Sequence, residues 1–149
     1  MLQTKSIVIG CIAIVLLAGV LAACGVGGIF VLGIYGVANK AEQEGVEFGK
    51  STDQQGCQDE ALRHLRLAIK SHNPLKAHEA PVFIDGCFQS CKPSIGYCTN
   101  APKEDAFFPT LEWSKSQCVK EGFGDDDDCP SVFIGVSNAC LGKTPRLQK

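Results

Sequence analysis

The hydrophobic and polar positions divide the chain into one long uncharged segment and a longer region with mixed polarity. Residues 7–38 form 32 consecutive positions without a charged side chain, and about 20 apolar residues suffice to cross the hydrocarbon core of a bilayer. We therefore predict a transmembrane signal-anchor helix at 7–38, preceded by a short cytoplasmic N-terminus at 1–6. A polar stalk or linker at 39–52 should follow, because Gly45 and Gly49 interrupt any long apolar pattern there.

Four segments beyond the linker show the 3.6-residue period of amphipathic helices. They are CQDEALRHLRLAIKSH, APVFIDGCFQSCK, TLEWSKSQCVKEG, which begins at Thr110, and DCPSVFIGVSNACLG. Few alternating runs are long enough for strands. The sequence therefore predicts an all-α fold, with a small disulfide-stapled bundle of about four short helices in two hairpins over 53–142. A C-terminal tail at 143–149 completes the chain.

Cysteine is the most unusual component of the composition. Cys11 and Cys24 lie in the uncharged segment, and seven more cysteines are scattered beyond residue 50. Such a density behind a membrane or export segment is typical of a disulfide scaffold in an oxidising compartment. Together with Lys5 ahead of the span, it favours a cytoplasmic N-terminus and an extracytoplasmic C-terminal domain, periplasmic or extracellular. A reduced zinc domain would usually contain C-x2-C pairs, and the sequence has none.

The pairing of these cysteines does not follow from their spacing alone, since six cysteines already allow 15 pairings. If the first hairpin turns near residues 77 and 78, Cys57 faces Cys98. Cys118–Cys129, which flank one loop, would join the third and fourth helices. Cys140 would join the two hairpins by bonding to Cys87 or Cys91, and we expect Cys87–Cys140. Because seven is odd, one thiol should stay outside this pairing, and we expect it to be Cys91. It would then be a buried apolar residue, an intermolecular crosslink or a redox thiol.

Two further features of the uncharged segment bear on anchoring. The residues around Cys24 could form a lipoprotein processing site, which would give a lipoprotein of the same fold lipidated at Cys24, and ordinary signal cleavage is a third alternative. A retained helix explains more of the apolar residues. A repeat of small residues at every fourth position offers a candidate helix-pairing face for self-association, although Gly and Ala are frequent in membrane spans anyway. The repeat consists of Gly19, Ala23 and Gly27.

The sequence contains no recognisable motif for catalysis, metal binding or nucleic-acid binding. From Lys50 onward, 12 basic and 13 acidic side chains leave a net charge of −1, without the basic footprint of a nucleic-acid-binding protein. The run GDDDDC lacks the alternating oxygen ligands of a calcium loop and suits the start of a helix instead. There is no G-x-S-x-G elbow. We therefore predict no catalytic residues, no metal site and no cofactor.

The expected function is accordingly a membrane-anchored extracytoplasmic structural or protein-interaction module rather than an enzyme. Its partners would be the membrane and another membrane or extracytoplasmic protein, and no nucleic acid. The aromatic run AFFPTLEW either completes the core or forms an exposed patch for a partner. The alternative is a thiol-redox or metal-handling membrane protein that uses a cysteine outside the disulfides. A Cys57–His64 metal site belongs to that alternative and requires Cys57 to be reduced.

Overall fold

The computed structural model describes residues 38–144, which belong to one compact unit beginning at Ala38. The predicted span at 7–38, except for its last residue, lies outside the described residues. So do the predicted pairing face and lipidation site, formed by Gly19, Ala23, Gly27 and Cys24. Within 38–144, none of the helices has the length and apolar character needed to cross a bilayer.

The described residues fold into helices joined by turns, and no strand occurs among them. The elements are a helix over 38–49 (α1), Gln54–Lys70 (α2), Pro74–Ala77 (α3), Glu79–Ser90 (α4), a 3-10 turn at Tyr97–Asn100, Phe107–Lys120 (α5) and Cys129–Cys140 (α6). The prediction of an all-α, disulfide-rich domain is confirmed for this part of the chain.

The longest helix, α2, shows how the apolar pattern becomes buried surface. Asp53 caps its first turn by accepting a hydrogen bond from the amide of Gly56 at 3.0 Å, which satisfies one of the open N–H groups of the helix start. One face of α2 is buried, and it consists chiefly of Cys57, Ala61, Leu62, Leu65 and Ala68. The helix ends where His72 adopts a positive φ of 50°, a conformation that reverses the chain.

Two helical hairpins make up the core. In the first, α2 packs against α4, and in the second, α5 packs against α6. Helix α4 also packs against α6 and so joins the two hairpins. The centre of the core is formed by side chains that are at most 2% exposed, among them Leu62, Leu65, Phe83, Ile84, Val132 and Phe133. Among the four helices of the two hairpins, α5 contributes least, because it buries only Ser114 and Cys118.

The segment predicted as a polar linker is instead mostly helix α1, packed against α4. Gly45 and Gly49 are buried in this contact. A Cβ atom at Gly45 would overlap the carbonyl oxygen of Phe83, and one at Gly49 would overlap the carbonyl oxygen of Cys87. The glycines therefore permit a close approach of two backbones rather than breaking a helix. Residues 38–52 therefore belong to the same compact unit as the helices that follow them.

Candidate functional site

Three disulfides cross-link the described part of the chain, and they correct two predicted pairs. The predicted Cys118–Cys129 bond is present, with a Cα–Cα distance of 6.0 Å. The predicted Cys57–Cys98 and Cys87–Cys140 bonds are wrong. Cys57 bonds to Cys87 at a Cα–Cα distance of 5.8 Å, and Cys98 bonds to Cys140 at 5.5 Å.

The register of the first hairpin explains the correction. Asp53 pairs with Lys92 through the backbone, and the amide of Gln54 donates to the carbonyl oxygen of Lys92 at 3.1 Å. This register puts the midpoint of the hairpin near residue 72, about five residues earlier than the predicted turn. Cys57 therefore lies opposite Cys87, the cysteine on the buried face of α4. The chain beyond α4 continues to the 3-10 turn, where Cys98 forms its disulfide with Cys140, the last residue of α6.

Cys91 is not on the buried face of α4 but just beyond it, as the C-cap residue in extended conformation. It is half-buried and packs against the core beside Tyr97. Burial of the phenol, followed by the electrostatic effect of Cys91, holds the pKa of Tyr97 far above its usual value. The phenol hydroxyl donates to Gln58 Oε1 at 2.7 Å. A redox role for the Cys91 thiol stays a prediction.

The metal-handling alternative loses its one proposed site. Cys57 is oxidised, and the His64 imidazole instead lies 3.2 Å from Glu60 Oε1. Among residues 38–144, no group of three or more histidines, cysteines, aspartates and glutamates is arranged to hold a metal ion. The acidic loop has a local structural role, because Asp126 Oδ1 accepts hydrogen bonds from the amides of Asp128 and Cys129 at 3.1 and 2.9 Å.

The aromatic run at the start of α5 divides between surface and core. Trp113 packs edge-on against Phe133, with ring centroids 6.0 Å apart, and completes the core. Phe107 and Phe108 are 70% and 74% exposed, and their rings contact each other edge-to-face at 5.4 Å. Val119, three turns later on the same side as Phe108, is 60% exposed. We call Phe107 and Phe108 the aromatic pair.

A groove of about 450 Å³ is the second distinctive surface feature. Its walls come from the start of α2, the loop after α4, and helices α5 and α6, and every residue that lines it is uncharged. Four of these residues carry side-chain amides: Gln55, Gln58, Asn100 and Gln117. Three others carry aromatic rings: Tyr97, Trp113 and Phe133. We call this feature the amide groove.

The sequence indicated the aromatic run but gave no sign of the groove, because its lining comes from four separated segments of the chain. The aromatic pair is an exposed apolar surface, and the amide groove is a neutral, hydrogen-bonding concavity. Comparisons with protein-family models, with curated proteins and with solved structures find no match for this chain.

Proposed function

We propose that this chain is a membrane-anchored, extracytoplasmic module that works by contact with another protein and not as an enzyme. The aromatic pair carries the proposal. Burying a phenylalanine side chain is worth about 1.5–3 kcal/mol, yet Phe107 and Phe108 stay on the surface. A partner that covers both rings would gain this free energy, and aromatic side chains are enriched at the energetic centres of protein interfaces.

The neighbouring structure makes the pair suitable for recognition. Both residues lie in the first turn of α5, and the Cys118–Cys129 bond fixes that helix to α6 further along. Trp113, one to two turns beyond the pair, is held against Phe133 in the core. The two exposed rings therefore project from a rigid element, which lowers the entropy lost when a partner binds.

The disulfides support an oxidising compartment. Each can add about 2–4 kcal/mol to a small domain, and the total stability of such domains is only about 5–15 kcal/mol. A domain that depends on three such bonds suits the outside of the cytoplasmic membrane. The proposal therefore keeps the span at 7–38 as an anchor, with the N-terminus cytoplasmic and the domain periplasmic or extracellular.

Anchoring is tested by extracting membranes of expressing cells at alkaline pH and by the intact mass of the purified chain. A retained anchor keeps the full-length chain in the membrane pellet. Cleavage before Cys24 with added acyl chains would instead establish the lipoprotein alternative. Recovery of the full-length chain in the soluble fraction would contradict both forms of anchoring.

Partner contact is tested by placing a photoreactive phenylalanine analogue at position 108 of the full chain in its native membrane. We expect irradiation to yield a discrete crosslinked protein. A matched probe at Gln43, an exposed residue of α1, should not yield it. Adding Phe107→Ser to the chain that carries the probe at 108 should reduce the yield, because the first ring completes the apolar surface.

The outcomes separate contact from chance collision. Identical products from positions 43 and 108 would show that the pair has no preferred partner and would contradict the proposal. A crosslink only to a second copy of this chain would identify the partner as the chain itself. The Phe107→Ser variant should keep the melting temperature of the wild type, because its ring is exposed.

A further inference from the structure

We propose that the amide groove binds a neutral carbohydrate. The site is distinct from the aromatic pair and does not depend on the proposed function. It is the concavity in which amide groups, aromatic rings and one fully exposed aliphatic side chain come together. Binding sites for small ligands commonly combine an apolar lining with a few directed polar groups.

The absence of charge in the lining selects the class of ligand. No acidic, basic or histidine side chain lines this groove. A phosphorylated or carboxylated ligand would lose its hydration there without gaining an opposite charge, which is unfavourable. A cationic ligand would make no direct contact with Asp53 or Asp59, which act on Tyr97 from outside the lining. The groove therefore suits a ligand that is polar but uncharged.

The amides suit a ligand rich in hydroxyl groups. A side-chain amide offers an acceptor oxygen and two donor N–H groups, and a hydroxyl group both donates and accepts. Tyr97 donates to the carbonyl oxygen of Gln58, which leaves the NH₂ group of Gln58 to donate to a ligand. Asn100 lies exposed at the edge of the groove. Adjacent ring hydroxyls can pair with the oxygen and the NH₂ group of such an amide.

The apolar part of the lining suits the C–H faces of a sugar ring. Trp113 and Phe133 form an edge-to-face pair on one side of the groove. Ile95 lines the rim with its side chain completely exposed. Because Phe133 is only 2% exposed, a sugar would stack on the partly exposed ring of Trp113 and cover part of this isoleucine. No sheet edge is present in the described residues, so a peptide could not bind here by adding a strand.

The groove is fixed before any ligand binds. The amide of Ser94 donates to Gln54 Oε1 at 2.9 Å, and the Cys98–Cys140 bond ties the 3-10 turn to α6. Gly96 adopts a φ of 76° that positions the loop between these two attachments. A preformed site binds more tightly than a mobile one because less conformational entropy is lost.

Trp113 provides a direct signal, since it is the only tryptophan in the chain. The full chain in detergent is titrated with N,N′,N″-triacetylchitotriose, cellotriose and maltotriose while tryptophan fluorescence is recorded. We expect a saturable change with at least one of the three sugars, at a dissociation constant in the range of about 1 mM or tighter. The emission should not change with an uncharged tripeptide such as N-acetyl-trialanine amide.

Two variants assign the signal to the groove. Asn100→Ala removes one neutral hydrogen-bonding group and should weaken binding about threefold to tenfold, with an unchanged melting temperature because Asn100 is exposed. Gln43→Ala removes an exposed amide of α1 outside the groove and should bind the sugar as the wild type does. The Phe107→Ser/Phe108→Ser variant should also bind normally, which separates this site from the proposed protein contact.

Three results would overturn the inference. They are the lack of a saturable change with all three sugars at about ten times the expected dissociation constant, equal binding by the wild type and Asn100→Ala, and saturation by the capped tripeptide instead of the sugars. The last result would assign the groove to a peptide. Failure of the crosslinking experiment at position 108 would leave the carbohydrate inference unaffected.

Discussion

Gly45 of α1 lies against the carbonyl oxygen of Phe83 in α4, so close that a Cβ atom on the glycine would overlap that oxygen. Gly86 of α4 makes the reciprocal contact, with the carbonyl oxygen of Glu42. The two helices therefore meet backbone to backbone. This contact makes α1 part of the packed domain and fixes the direction in which residues 38–49 run across α4.

The first prediction concerns this contact. Gly45→Ala should lower the free energy of unfolding by about 2 kcal/mol, because overpacking commonly costs 1–3 kcal/mol. The gain in helix propensity, about 1 kcal/mol, offsets only part of the cost, since a backbone oxygen cannot rotate away. Urea denaturation followed by circular dichroism provides the measurement.

Gly56→Ala is the matched control. Gly56 is also helical, but its added Cβ would meet the hydroxyl of Thr52, a side-chain group that can rotate away. Its stability should stay within about 1 kcal/mol of the wild type. Equal losses in the two variants would show that the close helix contact has no special energetic role.

The second prediction is the disulfide pattern. Unreduced protein digested with trypsin and chymotrypsin should yield linked peptides containing Cys57–Cys87, Cys98–Cys140 and Cys118–Cys129. Chymotrypsin is needed because only its cuts after Phe88 and Tyr97 separate the three cysteines between Lys76 and Lys103. A peptide that links Cys57 to Cys98 would contradict the hairpin register.

Loss of a disulfide should destabilise the domain more than most single core changes. For Cys57→Ala/Cys87→Ala, the loop-entropy argument gives about 3–4 kcal/mol, since the bond spans 30 residues in sequence. For Cys118→Ala/Cys129→Ala, which spans 11 residues, it gives about 3 kcal/mol. Thermal unfolding of both variants compares them. An unchanged melting temperature in both variants would mean that the helices stay folded without these crosslinks.

Much of this fold follows from apolar periodicity, as α2 illustrates. Its buried residues recur at helical spacing, and Asp53 and Asn73 lie at its two borders. The pairing of the cysteines could not be predicted from this periodicity, because it depends on where the first hairpin turns. The turn is set by His72 at positive φ and by the short α3, and the apolar pattern does not reveal either feature.

Other features depend on tertiary contacts that a single sequence does not reveal. Gly45 and Gly49 are typical of a helix break until α4 is placed against them. Helix α5 begins at Phe107 and not at the predicted Thr110, which brings the aromatic pair into its exposed first turn. The amide groove required the docking of two hairpins and a loop, so no local pattern could indicate it.

The third prediction concerns the pH dependence of stability. Asp85 is an exposed residue overall, but partial desolvation of its carboxyl by neighbouring groups, followed by the charge of Glu42, raises its pKa. Its ionised form is therefore less favourable in the folded state than in the unfolded state. The favourable contribution of Asp85 to the free energy of unfolding is therefore fully present below its pKa in the unfolded state. It is lost as the pH rises through its pKa in the folded state.

Asp85→Asn removes this titration. The variant should be more stable than the wild type at pH 7, and the difference should shrink as the pH falls and the wild-type carboxyl becomes protonated. Urea unfolding between pH 3 and pH 7 provides the measurement, with the exposed loop variant Asp125→Asn as the control. A difference that grows towards low pH would contradict the assigned sign.

The fourth prediction concerns a buried hydroxyl. Ser137 is fully buried in α6, and its Oγ has no hydrogen-bond partner among the described residues. Because an unsatisfied buried polar group costs about 1–3 kcal/mol, Ser137→Ala should raise the free energy of unfolding by about 1 kcal/mol. The buried Ser114 hydroxyl donates to Thr110 at 2.8 Å, so Ser114→Ala should give no comparable gain. Equal responses would show that the Ser137 hydroxyl is satisfied in solution.

The last prediction separates the two kinds of phenylalanine in the second hairpin. Phe133 is 2% exposed and packs against Trp113, whereas Phe108 is 74% exposed. Phe133→Ala should lower stability by about 3–5 kcal/mol through the cavity it leaves, while Phe108→Ala should change it by no more than about 0.5 kcal/mol. Thermal denaturation of the isolated chain measures both. If Phe108→Ala destabilises the chain as strongly as Phe133→Ala does, the aromatic pair serves folding, and the surface proposed for partner contact loses its basis.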